Sequence, residues 1–192
     1  MSSTAERPGR TADVGARQRI LDAAESRLLR FGPAGLVLDA VAREAQVSKG
    51  GLLYHFPTKE ALIDGLTDRM FGSFDELQES LVAKDTEERG RWTRAYLEGT
   101  VDRKGEPIDA SARLMSSLLA VIGSDSARLE TVRAHFAQWQ QRLEGDGIDP
   151  TTATIVRLAA DGLWLSALLG LPRLERETHA RVFESLLALT RR

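Results

Sequence analysis

Ser48-Lys49-Gly50-Gly51-Leu52-Leu53-Tyr54-His55-Phe56-Pro57-Thr58-Lys59-Glu60-Ala61-Leu62 is the stretch from which the rest of the chain is read. It opens on a serine whose hydroxyl suits the amides of Gly50 or Gly51, the usual way to start a helix. Leu52 and Phe56, four apart, fall on one helical face. Pro57 and Thr58 separate this short helix from a long one starting near Lys59, which Thr58 caps and whose positive end Glu60 and Asp64 suit. Just upstream, a short helix runs from about Asp39 to Ala45, and only Gln46-Val47-Ser48 joins it to the next. A further helix precedes both, with Ile20, Ala24, Leu28 and Phe31 on one face and a stop at Gly32-Pro33. Two short helices and a three-residue turn describe a helix-turn-helix. Val41, Ala42, Val47, Leu52 and Phe56 supply its apolar contacts, and Ala45 lets the two helices approach. An ordinary helical hairpin has the same geometry, so the residues must decide between them.

The residues resemble the signature of the tetracycline-repressor (TetR) family of transcription regulators. Val41-Ala42-Arg43-Glu44-Ala45-Gln46-Val47-Ser48 matches its first half. Ser48-x-Gly50, His55-Phe56 and Lys59-x-x-Leu62 match the second in the same register, and the likeness covers about residues 17–65. It implies a DNA-binding domain, a helical ligand-binding and dimerisation domain, and most often a repressor released by its ligand. Two positions depart from the pattern. Gln46 stands where the family usually has glycine, and a left-handed Gln46 would cost ~1–2 kcal/mol. Leu53 stands where an aromatic is usual; Tyr54, the next residue, points about 100° away around the helix.

The expected DNA-binding residues are Ser48, Lys49, Gly50, Gly51, Leu53, Tyr54, His55 and Lys59. Ser48 caps the recognition helix. Lys49 at its start donates to guanine or to phosphate. Gly50 and Gly51 let the backbone approach DNA, and Leu53 suits a thymine methyl. By resemblance Tyr54, His55 and Lys59 contact phosphates, Lys59 beside the amides at the start of the long helix. Arg17 and Arg19 are weaker candidates, because such arginines are commonly just solvated.

Beyond Lys59 the periodicity predicts helices at about 86–103, 109–123, 126–144, 150–170 and 175–190. Gly105-Glu106-Pro107, Gly123-Ser124-Asp125, Gly145-Asp146-Gly147 and Gly170-Leu171-Pro172 punctuate them, and Asp149-Pro150 is a cap followed by a first-turn proline. The expected fold is all-α with about nine helices: residues 1–15 a disordered tail, 16–58 the helix-turn-helix domain, and 59–192 the helical ligand-binding and dimerisation domain. Gly65 and Gly72 interrupt the long helix and read as bends or as packing accommodations. Residues 155–169 are apolar on nearly every face, with Arg157 and Asp161 four apart and able to pair. Either that helix is the central core helix, or one side of it meets another chain; the resemblance implies the second, with that helix and the next forming a homodimer interface at Leu158, Leu165, Leu168, Phe183 and Leu187. Met70, Trp92, Tyr96, Met115, Phe136, Trp139 and Trp164 are the candidates for lining an apolar effector pocket.

Composition excludes much else. The chain has 192 residues, 42% hydrophobic and 28% charged, with no cysteine and three histidines far apart, which removes disulfides, thiolate chemistry and a histidine metal site. No phosphate-binding loop, nucleophile elbow or cofactor motif is present, so neither an enzyme nor a cofactor is expected. Residues 1–60 carry nine Lys/Arg against seven Asp/Glu, and the remainder carries 17 against 21. A mildly positive N-terminal part thus suits a polyanion such as operator DNA. No targeting segment is legible and the longest apolar stretch holds Arg157 and Asp161, so a soluble, cytoplasmic protein is expected. The competing reading is an all-helical small-molecule-binding or interaction module, or a cofactor-free enzyme, that never touches DNA.

Overall fold

The computed structural model describes residues 8–103, 109–123 and 125–191. Among these residues it contains nine α-helices and no strand. The chain divides into two compact units, one up to Arg69 and one from Met70. The division therefore falls inside a helix and not at Thr58, where the sequence places it.

The first unit is built on α1 (Pro8–Phe31), a 3-10 turn (Gly32–Gly35), α2 (Leu38–Glu44), α3 (Lys49–His55) and the beginning of α4 (Lys59–Lys84). Helix α1 already runs from Pro8, so Pro8–Gly15 is helical where a disordered tail is expected; residues 1–7 lie outside the described residues. Most apolar positions read from the sequence converge: Ile20, Ala24 and Leu28 of α1, Val41 of α2, Leu52 and Phe56 of the α3 region, and Leu62 and Leu66 of α4 are buried. Phe31 is a correction: at the end of α1 it is 53% exposed, covered by the Arg27 and Arg30 guanidiniums instead of the core. Polar side chains fasten the frame. Arg27 Nε donates to Gly35 O at 2.8 Å, and Arg69 of α4 reaches Asp22 at 2.6 Å, Glu25 and the Leu21 carbonyl of α1.

The second unit holds the rest of α4 with α5 (Arg91–Thr100), α6 (Asp109–Ile122), α7 (Ser126–Glu144), α8 (Pro150–Leu168) and α9 (Arg176–Leu189). The expected cap at Asp149 forms, accepting from Thr152 N at 2.9 Å, and Asp125, expected only as part of the break before α7, also caps by accepting from the Ala127 and Arg128 amides. The expected start of a helix at 86 is corrected to Arg91. Gly90 is left-handed (φ 78°), and the cap of α5 comes from far along the chain. Asp146 accepts from Trp92 N, from Thr93 N at 2.7 Å and from the Thr93 hydroxyl at 2.9 Å. Arg94, 3% exposed, donates to Asp85, to the Glu87 and Arg89 carbonyls and to Thr190 O, so it ties the loop before α5 to the end of α9. The expected punctuation at Gly105-Glu106-Pro107 and at Ser124 lies outside the described residues. No helix among the described residues is long and apolar enough to cross a membrane.

Candidate nucleic-acid interface and sensor core

Helix α3 is short because its sequence says so at both ends. Ser48 Oγ accepts from Gly51 N at 3.0 Å, and Phe56 takes an extended conformation before Pro57. The turn before it is as tight as the sequence predicts. Ala45 N donates to Val41 O at 2.8 Å, Val47 N donates to Ala42 O at 3.0 Å, and Gln46 between them has φ 54°. A glutamine thus occupies the left-handed position, for which a strain of ~1–2 kcal/mol is expected. Arg19 Nε approaches the Ala45 carbonyl at 3.4 Å and Arg17 lies 5.3 Å over the Phe56 ring, so both arginines take part in holding the motif.

With Leu52 and Phe56 turned inward, α3 leaves its other face to solvent. Ser48, Lys49 and Gly50 are exposed, Tyr54 is 75% exposed, and Gly51, Leu53 and His55 are half-buried. The Tyr54 and His55 rings meet edge to face at 5.1 Å. Lys59, half-buried, begins α4, which Thr58 caps through a 3.1 Å bond from Ala61 N. The eight expected residues therefore lie within one short segment of the first unit. One partner was not legible: Lys49 Nζ pairs with Asp39 of α2 at 2.9 Å, both side chains more than half exposed. The two glycines differ. A Cβ on Gly51 would sit 3.3 Å from Ser48 Oγ, the cap itself, whereas one on Gly50 would meet nothing closer than 4.0 Å. Packing within the protein does not require Gly50 to be glycine.

The second unit gathers most of the aromatic residues expected around an effector. Phe71 and Phe74 of α4, Tyr96 of α5, and Phe136 and Trp139 of α7 form one cluster, with Trp139 4.9 Å from Phe74, 5.1 Å from Phe136 and 6.0 Å from Tyr96. Tyr96, Met115 and Trp139 are buried; Met70, Phe136 and Trp164 pack partly buried against the same core. Trp92 sits apart under the Arg142 guanidinium at 5.2 Å. Phe71 and His135, which the sequence does not single out for the cluster, stack at 4.2 Å.

Polar groups converge on the cluster as well. Trp139 Nε1 donates to Asp75 at 2.8 Å, and the Tyr96 hydroxyl donates to Asp161 Oδ1 at 2.6 Å. Asp161 also pairs with Arg157, the i,i+4 partner read from the sequence. Burial pushes the Tyr96 hydroxyl well above the ordinary phenol range, and the adjacent Asp161 charge adds to it. Burial raises the Asp161 carboxyl too, against the opposing effects of the Tyr96 bond and the Arg157 charge.

The residues expected between two chains separate into two groups. Leu158 and Leu165 are exposed on α8, with Ile155 and Leu169 along the same row, and Leu168 is half-buried. Phe183 and Leu187 need correcting: they are 2% and 6% exposed, sealed in the protomer's own core, because the apolar face of α9 packs inward.

A family model described as bacterial regulatory proteins, tetR family, matches residues 20–66, and one described as tetracyclin repressor-like, C-terminal domain, matches residues 90–191. The transcriptional repressor KstR2 of Rhodococcus jostii (strain RHA1) is 32% identical over 101 residues, covering 50% of this chain and 45% of that protein; the matched stretch is thus under half the relative's length. A TetR-family member from Streptomyces coelicolor A3 superposes with a TM-score of 0.64 at 25% identity, over 89% of this chain and 97% of its own. The multidrug binding protein EbrR, in a complex with ethidium, superposes with a TM-score of 0.63 at 27% identity, over 89% of this chain and 97% of its own. These relatives are regulators and binding proteins, not enzymes.

Proposed function

Since the chain belongs to the tetracycline-repressor family of transcriptional regulators, we propose that it is a repressor that binds a near-palindromic operator as a homodimer and lets go when a small apolar or amphipathic effector enters the second unit. The observation that carries the DNA half is the α3 surface. Lys49, Gly50 and Tyr54 stand exposed beside one another, and among the described residues no atom lies nearer than 4.0 Å to where a Cβ of Gly50 would be, so packing does not explain its missing side chain. A bare backbone there suits close approach to a groove, with Lys49 toward base edges and Tyr54, His55 and Lys59 toward phosphates. The Lys49–Asp39 pair must open first, which costs little because exposed pairs are worth about 0–1 kcal/mol. The effector half rests on the aromatic cluster with its convergent polar groups, and on the small-molecule complex of EbrR, a relative of similar length. Helix α4 contributes Lys59 to the proposed interface and Phe71, Phe74 and Asp75 to the cluster, so an effector that moves the second set acts on the first through one helix.

The test is a mobility-shift titration against DNA flanking the protein's own coding region. Lys59→Ala should weaken binding uniformly across sequences and reduce the salt slope by about 0.9, one phosphate contact. Lys49→Ala should change sequence preference as well as affinity. If the doubly substituted protein bound like wild type at about 0.15 M salt, where exposed charges still count, the assignment of α3 would be wrong.

A further inference from the structure

Two similar arrangements flank the aromatic cluster of the second unit. In one, Trp139 Nε1 and Arg142 Nη1 both donate to Asp75 Oδ1, at 2.8 and 3.3 Å, and the Arg142 guanidinium rests on Trp92. In the other, the Tyr96 hydroxyl donates to Asp161 Oδ1 at 2.6 Å and Arg157 Nη1 donates to Asp161 Oδ2 at 2.9 Å. The second guanidinium is not used up: Arg157 Nε is buried and has no hydrogen-bond partner. Buried donors of charged groups are costly to leave unmade, and natural structures seldom do so without a reason.

The chemistry of the missing partner follows from what is spent and what is spare. Each Asp161 oxygen already has a donor, so the carboxylate is not short of partners. The spare capacity is an N–H on the Nε edge of a guanidinium, the edge whose fork matches a carboxylate. A cation drawn to Asp161 would have to dislodge Arg157 and then lie beside it. An anion meets Arg157 directly, and the charge it competes with is one that burial already disfavours. Apolar surface lies close by, since Tyr96 touches the Phe74 and Trp139 rings. Further unmet polar atoms border the region: His135 Nδ1 on α7, and Gln140 Oε1, whose amide nitrogen bonds Thr154 one turn before Arg157.

We propose that Arg157 is the anchor of the effector site and that the effector is an amphipathic acid, its carboxylate on the Nε edge of Arg157 and its apolar body against the Tyr96–Trp139 aromatics. This rests on the reading of the second unit as the sensor. It adds a charge and a residue that the sequence assigned only to a helix pair.

The experiment titrates the full chain, followed by tryptophan fluorescence, with three probes of one shape: naphthoate, naphthalenemethanol and naphthylmethylammonium. Naphthoate should bind about 10-fold or more tighter than the other two, as a charge-assisted fork implies. Arg157→Gln, which removes the charge, should abolish that preference, naphthoate losing about 10-fold or more and the alcohol less. Asp161→Asn, which keeps the size of the side chain, should hold or tighten naphthoate. A preference for the ammonium that disappears in Asp161→Asn would overturn the assignment in favour of a cation site, and equal affinity for all three, or none for any, would overturn it too. Binding of naphthoate through Arg157 without any loss of operator affinity would leave the anion site standing and defeat the sensor reading instead.

Discussion

Gln46 concentrates the cost of the helix-turn-helix in one backbone angle. At φ 54° an L side chain crowds its own backbone, whereas glycine does not. Gln46→Gly should therefore raise stability by about 1 kcal/mol, after allowing for glycine's greater freedom in the unfolded chain. Urea denaturation checks this, and an unchanged or lower midpoint would mean the turn is unstrained. Asp85 makes a second residue-scale prediction. The Arg94 guanidinium bonded to it at 2.6 Å holds its carboxyl below the ordinary range; burial acts the other way, and the Glu87 amide and the Arg191 charge assist. A depressed carboxyl stabilises the fold above its unfolded pKa of about 3.9 and loses that contribution as pH falls through its lower folded value. Asp85→Asn should thus be less stable than wild type at neutral pH, and the gap should close progressively below about pH 4. A gap constant from neutral to acid pH would show that Arg94 does not depend on that charge. At this scale the sequence was uneven. Gln46 was legible because turn geometry is local, and Arg157–Asp161 because the pair is one helical turn long. Lys49–Asp39 and Tyr96–Asp161 join different helices and leave no mark on local spacing.

Helix ends were legible wherever the stop or start lay next to the helix it served. Ser48, Thr58 and Asp149 each cap as their positions suggest. The sequence pattern overextends α5 because its capping carboxylate, Asp146, is more than fifty residues downstream, and periodicity through Asp85–Gly90 gives no warning of it. The glycines of α4 show the same limit from the other side. In sequence Gly65 and Gly72 are equivalent interruptions. In the fold, a Cβ on Gly65 would lie 2.6 Å from Phe56 Cε1 and 3.3 Å from Leu21 Cδ2, while one on Gly72 would meet nothing within 4 Å. Gly65 is the place where α4 admits the buried Phe56 ring, so it is a packing position. Gly65→Ala should destabilise by about 1–3 kcal/mol, the usual range for overpacking. Gly72→Ala should stabilise by up to about 1 kcal/mol, since only helix propensity changes. Thermal unfolding of the two variants should move in opposite directions. Equal shifts would mean that Phe56 swings aside freely and that the close contact costs nothing.

The whole protomer leaves an unusual surface behind it. Ile155, Leu158, Leu165 and Leu169 are 52, 55, 46 and 62% exposed, and Gly162, open on its Cβ side, falls in the same row. Their spacing of three and four repeats as a heptad seam, the pattern by which one helix meets another. A monomer seldom leaves such an apolar strip in water. The proposed occupant is the same strip of a second copy, and the small residue at its middle lets two backbones cross closely. That reading bears on DNA binding, because each protomer carries one α3 and a dimer sets two of them about 34–36 Å apart, one turn of the double helix. Half of the contacts alone would give roughly half of the binding free energy, and the salt-dependent phosphate term would halve with it. Leu165→Glu puts two carboxylates against each other across the two-fold axis, a burial that costs several kcal/mol unless they part, which is ample to dissociate a dimer at about micromolar concentration. Sedimentation should then find the variant monomeric with its helical content intact, and its operator affinity should fall by at least about 100-fold while its affinity for a single half-site stays that of wild type. Phe183→Leu serves as the contrast, since that ring is sealed in the protomer core: it should lower the melting temperature and leave the association state alone. A wild-type monomer in the same measurement would remove the dimer. A monomeric Leu165→Glu that still bound the full operator tightly would show that one copy of α3 suffices, and the palindrome would lose its reason.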